Sequence, residues 1–145
     1  MSHDLSKAKE LLLSDHYTCV LCKGTELHVS RHRGVRPLLD LLENGTDLQG
    51  FSAADKVVGK ATAMLYRLLR VQRVYGVVMS QAAMAVLQEG NIEVSYETMV
   101  DHIVNRTGDG PCPMEAATAV TNDPAEALRL IKLTLTRLQG GTQHA

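Results

Sequence analysis

The sequence predicts an α/β fold, a three-layer α/β/α sandwich around a mixed five-stranded sheet. Three observations lead there. Strand-like segments alternate with amphipathic helical segments along most of the chain. Two of the strands are joined by a Gly24-Thr25 turn, which makes an antiparallel hairpin. The 145 residues, 45% of them hydrophobic, suffice for one domain with a real core. That domain is taken as 1-145, with its core over 17-138.

Each element has a local cause. Leu5 to Leu13 reads as a helix, with Ser2 or Asp4 as caps. Tyr17 to Lys23 and Glu26 to Ser30 are the strands of the hairpin, with Leu27 and Val29 on one face. Gly34 breaks the chain, and Pro37 suits the first turn of a helix carrying Leu38, Leu39, Leu41 and Leu42. Asn44-Gly45 stops that helix. Gln49 to Ala54 reads as a short buried strand. Asp55 then caps a long helix to Leu69, with Val57, Val58, Ala61, Met64, Leu65 and Leu68 at helical spacing. Arg73 to Met79 is a strand, and Ser80 caps the helix QAAMAVLQE, which ends at Gly90. Ile92 to Tyr96 is a further strand and Glu97 to Val104 a short helix. After a glycine-rich loop over Arg106 to Gly110, Pro113 and Asp123-Pro124 mark two helix starts, the last helix reaching Leu138 before a frayed tail from Gly140. The strand–helix–strand units in the second half should be parallel, with right-handed crossovers.

Composition narrows the function. The formal net charge is -1, so no basic excess exists to hold a nucleic acid. Aromatic residues make up 3% and tryptophan is absent, which removes stacking platforms for single strands. The Leu11-Leu12-Leu13 run is too short for a signal core or a membrane span. Three cysteines exclude a complete disulfide framework, and a reduced, cytoplasmic protein is the simplest reading.

GDGPCPME is the segment richest in chemistry. Cys112 stands where a helix N-cap belongs, with Pro113 at the first helical position and Glu115 at the third. A capping device explains that order. The sharper reading is a thiol at the positive end of a helix dipole, where its thiolate is favoured. Spacing alone assigns it no base.

In AADKVVGKA, Asp55 follows a strand, at the edge of a parallel sheet where ligands bind. An N-cap accounts for Asp55 but not for Lys56, because a cation in a first turn opposes the dipole. Lys56 therefore faces a ligand anion, pairs with Asp55, or is solvated. Gly59 inside a helix costs about 1 kcal/mol against Ala and points to close packing. GKAT misses a P-loop, since Ala54 replaces its leading glycine and Ala61 its Ser/Thr.

Cys19 and Cys22, three apart on a strand, point to opposite faces and read as small buried apolar residues. His28, Arg31, His32, Arg33 and Arg36 form a basic cluster that a solvated loop explains. An anion contact by Arg36 is the alternative. Ser80 lies at the same sheet edge as Asp55, with capping as its bland role, and His102 reads as structural.

The stretches GVRPLLDLL, AADKVVGKA, RVYGVVMS and NRTGDGPCPMEAA resemble a small bacterial family of unknown function with the cytidine-deaminase-like fold. The likeness covers Tyr17 to Leu138. It implies a mixed five-stranded sheet flanked by helices. It does not imply deamination, because zinc deaminases need His-x-Glu or Cys-x-Glu plus P-C-x-x-C. Gly34-Val35-Arg36 and Asp55-Lys56-Val57-Val58 stand at the corresponding helix starts, and Pro111-Cys112-Pro113-Met114-Glu115 follows the fifth strand. No metal and no cofactor are expected.

Two functions follow as expectations. One is a metal-free cleft for a small anionic or nucleotide-like ligand, with Cys112 and Asp55 as chemical groups. Its ligand-binding set is Arg36, Lys56, Ser80, Asn105, Arg106, Gly110 and Glu115. The other is a non-catalytic sensor or protein-interaction domain, in which the apolar surface of the last helix packs on a partner or a second copy as a homo-oligomer. Neither nucleic acid nor membrane is an expected partner.

Overall fold

The computed structural model describes residues 3–32, 34–104, 108, 110 and 112–144, with side chains as far as 139. Eleven elements follow in order: α1 (His3–Ser14), β1 (Cys19–Lys23), β2 (Glu26–Ser30), α2 (Arg36–Glu43), β3 (Ser52–Val58), α3 (Lys60–Leu69), β4 (Arg73–Ser80), α4 (Gln81–Glu89), β5 (Glu93–Val100), α5 (Pro113–Thr118) and α6 (Pro124–His144).

The five strands form one sheet in the order β2-β1-β3-β4-β5. β1 is antiparallel to both β2 and β3, whereas β3–β4 and β4–β5 are parallel. The hairpin supplies the antiparallel part because Gly24 takes φ 60°, a conformation open to glycine in a tight turn. The helices that follow β3 and β4 make the crossovers.

Alternation along the strands sends side chains into two cores. On one face, Leu5, Ala8 and Leu12 of α1 pack on Val20, Cys22, Ala54 and Tyr75. On the other, Met64, Leu65 and Leu69 of α3, Leu87 of α4, Leu38 of α2 and Ile131 of α6 pack with Cys19, Leu21, Ala53 and Val74. A sheet between α1 and the remaining helices is the three-layer arrangement expected.

Three local expectations change. β3 does not end before Asp55 but runs on to Val58, so Asp55 lies inside a strand and caps nothing. Pairing decides this. Asp55 lies opposite Cys19 and Gly76, Lys56 N–H reaches Thr18 C=O at 3.0 Å, and Val57 and Val58 pair with Val78 and Met79. Two strand partners outweigh helical spacing in a segment with adjacent β-branched valines. Gly59 becomes the N-cap of α3 instead of a residue within it.

The helix expected over Glu97–Val104 is also absent, since β5 continues to Val100 beside Ser80. β5 is an edge strand, where exposed polar residues such as Glu97 and Thr98 are tolerated. Finally, α6 passes through Gly140-Gly141 to His144, because each added residue of an established helix gains a hydrogen bond.

Candidate functional site

β1 and β3 place Cys19 and Asp55 side by side in antiparallel register. α3 turns back from the end of β3 and lays Tyr66 over them. The Tyr66 hydroxyl donates to Asp55 Oδ2 at 2.7 Å, and Cys19 Sγ lies 3.4 Å from the same hydroxyl. Val57 N–H also donates to Asp55 Oδ1, at 3.3 Å. Tyr66 is fully buried, Cys19 is buried and Asp55 half-buried. The result is an unbroken line of thiol, phenol and carboxyl.

Burial governs how this line titrates. It pushes the Asp55 carboxyl from 3.8 up to about 7, against the opposing pull of hydrogen bonds from Tyr66, Val57 and Lys56. Burial, then the charge of Asp55, holds Cys19 well above the usual thiol range. Burial and Asp55 do the same to the Tyr66 phenol. Cys19 is therefore a neutral thiol and a poor nucleophile at neutral pH. Asp55 is the member of the line that exchanges a proton near pH 7.

Cys19 also forms part of the wall of a cleft of about 430 Å³ between the hairpin and α2. His28, Ser30, His32 and Asp40 supply its other polar groups, and Leu21, Leu27 and Leu41 its apolar surface. Nε2 of His28 is buried without a hydrogen bond, and its ring centroid lies 5.7 Å from that of Phe51. Among the described residues, no group of three or more His, Cys, Asp or Glu is placed to hold a metal ion.

A family model, TM1506, described as "Domain of unknown function (DUF1893)", matches residues 7–135. The chain belongs to the DUF1893 family. Among solved structures, the crystal structure of a DUF1893 family protein (TM1506) from Thermotoga maritima is similar, with 23% identity and a TM-score of 0.84. The match covers 90% of this chain and 89% of that one, and at such identity the likeness speaks for the fold alone. No curated protein matches.

The DUF1893 domain disperses the residues singled out by sequence. Asp55 stands at one end of the buried line, with Tyr66 at its centre. Lys56, the neighbour of Asp55 on β3, is half-buried and uses its backbone N–H to reach Thr18 C=O. Arg36 opens α2 and pairs with Asp40 of the cleft wall at 3.8 Å. Ser80 is buried and accepts from Ala83 N–H at 3.1 Å, an ordinary N-cap. Gly110 is half-buried in the loop before α5, and Asn105 and Arg106 lie outside the described residues. Cys112 is the N-cap of α5, as expected, but its side chain makes no cap hydrogen bond and packs against the core cluster that includes Cys19. With six residues, α5 has little dipole to offer it.

Glu115 does something sequence order did not indicate. Its two oxygens accept from Lys60 N–H at 3.0 Å and Ala61 N–H at 3.1 Å, so it caps α3 instead of its own helix. A Cβ on Gly59 would fall 2.6 Å from that carboxylate, which explains the glycine.

Sequence reasoning treats Cys19 as a small buried residue, which it is, and does not single out Tyr66. Tyr66 has one weak signal: a polar-tipped aromatic amid the apolar face of α3, in a chain with 3% aromatics.

Proposed function

We propose that this DUF1893 domain binds a small nucleotide-like molecule without a metal, in the cleft between the hairpin and α2. Asp55 sets the hydrogen-bonding character of the cleft wall through Tyr66 and Cys19. One observation carries the reading: a carboxyl that titrates near 7 is connected by two hydrogen bonds to a thiol on that wall. Perturbed titratable groups beside a cleft are a general mark of function.

Proton counting gives the mechanism. With Asp55 ionised, the Tyr66 hydroxyl points at the carboxylate, the Cys19 S–H points at the phenol oxygen, and the sulfur offers lone pairs to the cleft. With Asp55 protonated, the line reverses. Asp55 donates to Tyr66, Tyr66 donates to Cys19, and the S–H turns into the cleft. The ligand thus meets an acceptor at high pH and a donor at low pH. Leu21, Leu27 and Leu41 suit the face of a heterocyclic base, with His28 and Ser30 for its polar edge. Arg36, beside Pro37 at the start of α2, is the group for a phosphate at the mouth. A deaminase-like scaffold that works without zinc agrees with the mixed sheet and with the missing zinc motifs.

The thiol role assigned by sequence to Cys112 passes in this reading to Cys19. The alternative of an interaction domain keeps a smaller surface, because Leu128, Ile131 and Leu135 of α6 face the core while Leu133 and Leu138 are exposed.

The test is a titration of the intact protein with nucleosides and nucleoside monophosphates, followed by NMR at pH 6 and pH 8. The expected result is saturable shifts at His28, Ser30 and His32, with an affinity that changes across pH 7 in the wild type but not in Tyr66→Phe. If no compound of this class perturbs those residues, the reading fails.

A further inference from the structure

A second cleft, of about 330 Å³, is lined by Gln49, Arg67, Arg70, Val71, Gly90 and Ile92. Val71 and Ile92 lead into β4 and β5, so this is the edge where the parallel strands begin. Arg67 is in the last turn of α3, and Arg70 is its C-cap.

Arginines at helix ends ordinarily bind the last carbonyls and balance the dipole. Here most of those carbonyls are already taken. Arg70 N–H donates to Tyr66 and Arg67 C=O, Val71 N–H to Tyr66 C=O, and Leu48 N–H to Leu69 C=O. At the end of α4, Gly90 N–H donates to Val86 and Leu87 C=O, Asn91 N–H to Gln88 C=O, and Ile92 N–H to Leu87 C=O. The Arg67 guanidinium has no hydrogen bond or ion pair among the described residues. Arg70 has a single exposed pairing, with Asp47 at 3.8 Å.

Gly90 adds an independent observation. Its φ of -87° and ψ of 9° are open to any residue, so backbone conformation does not call for glycine there. The positive φ at this helix end belongs to Asn91 instead. A Cβ at position 90 would lie 2.9 Å from Arg67 Nε and 3.0 Å from its Cγ. The glycine leaves room for one side chain, and that side chain carries a guanidinium with no partner among the described residues.

We propose that this cleft is a binding site for a phosphoryl oxyanion, held by the guanidinium groups of Arg67 and Arg70 and the amide of Gln49. Guanidinium groups match the oxygens of a phosphoryl group in pairs, and two of them suit a dianion or diphosphate better than a single carboxylate. The site shares no residue with the cleft beside Cys19.

The experiment is an NMR titration of the intact protein with inorganic pyrophosphate at low ionic strength, read at backbone amides. Saturable shifts are expected at Gln49, Val71, Gly90 and Ile92. Arg67→Gln weakens the affinity about ten-fold or more, as the loss of a charge-assisted contact does. Gly90→Ala, which displaces the same side chain, weakens it as well. Spectra that match the wild type away from the cleft show that each variant is folded. A parallel titration with ADP separates the sources: tighter binding than pyrophosphate assigns the site to a nucleotide, weaker binding to a free oxyanion. An absence of saturable shifts at these four residues, or equal affinity in the wild type and Arg67→Gln, overturns the proposal.

Discussion

Tyr66 on α3 and Asp55 on β3 share a 2.7 Å hydrogen bond beneath a largely aliphatic core. It shields a carboxyl from water and joins it to the Cys19 thiol, and this brings the Asp55 titration near neutral pH.

Stability should therefore fall as pH rises through the neutral range. A carboxyl raised from 3.8 to about 7 on folding binds its proton more tightly in the folded chain than in the unfolded one. Its contribution is fully present below the unfolded value and is lost as pH rises through about 7. The loss is at most about 4 kcal/mol, taking ~1.4 kcal/mol per pKa unit. Urea unfolding at pH 5 and pH 8 checks this. Asp55→Asn, which keeps an acceptor for Tyr66, should flatten the dependence and exceed the wild type in stability at pH 8.

Tyr66→Phe removes the hydroxyl and leaves both neighbours short of a partner. The expected cost is roughly 1–3 kcal/mol by chemical denaturation. Because the lost bond favours the ionised carboxylate, the Asp55 titration should also move to higher pH, as read by carbon NMR of its carboxyl. A titration left in place, or moved down, contradicts the geometry.

Gly59 and Glu115 should prove energetically coupled. Gly59→Ala puts a Cβ 2.6 Å from the Glu115 carboxylate and forces that cap off α3. The backbone there has φ -100°, so alanine itself is not strained. Gly59→Ala should cost about 1–2 kcal/mol in the wild type, the size of a lost N-cap, and close to nothing in a Glu115→Ala background. A double-mutant cycle measures the difference.

Thiol labelling should follow burial. Cys112 is half-buried, whereas Cys19 and Cys22 are buried on opposite faces of the sheet. Mass spectrometry after brief alkylation at neutral pH should find label on Cys112 first. Cys19 should react slowly, because burial holds its thiol well above the usual range. Fast labelling of Cys19 in the native protein would mean that its thiol is not held neutral.

Much of the architecture could be read before any coordinates. The hairpin, the Pro37 and Ser80 helix starts, the opposed faces of Cys19 and Cys22, and the mixed sheet all appear as expected. Misreadings cluster where a segment has two plausible local states. Asp55-Lys56-Val57-Val58 fits a helical period, and Glu97–Val100 looks polar enough to leave a sheet, yet each is drawn into a strand by its neighbours.

The sequence by itself determined the fold class and most element positions. Those follow from turn chemistry, capping and periodicity, which act over a few residues. Only the tertiary structure decided which polar groups meet. Cys19 reaches Tyr66 across 47 positions, and Glu115 reaches Lys60 across 55. Such pairs arise from strand order and helix docking, and no local pattern specifies them, because the energy of each contact exists only after the sheet has formed.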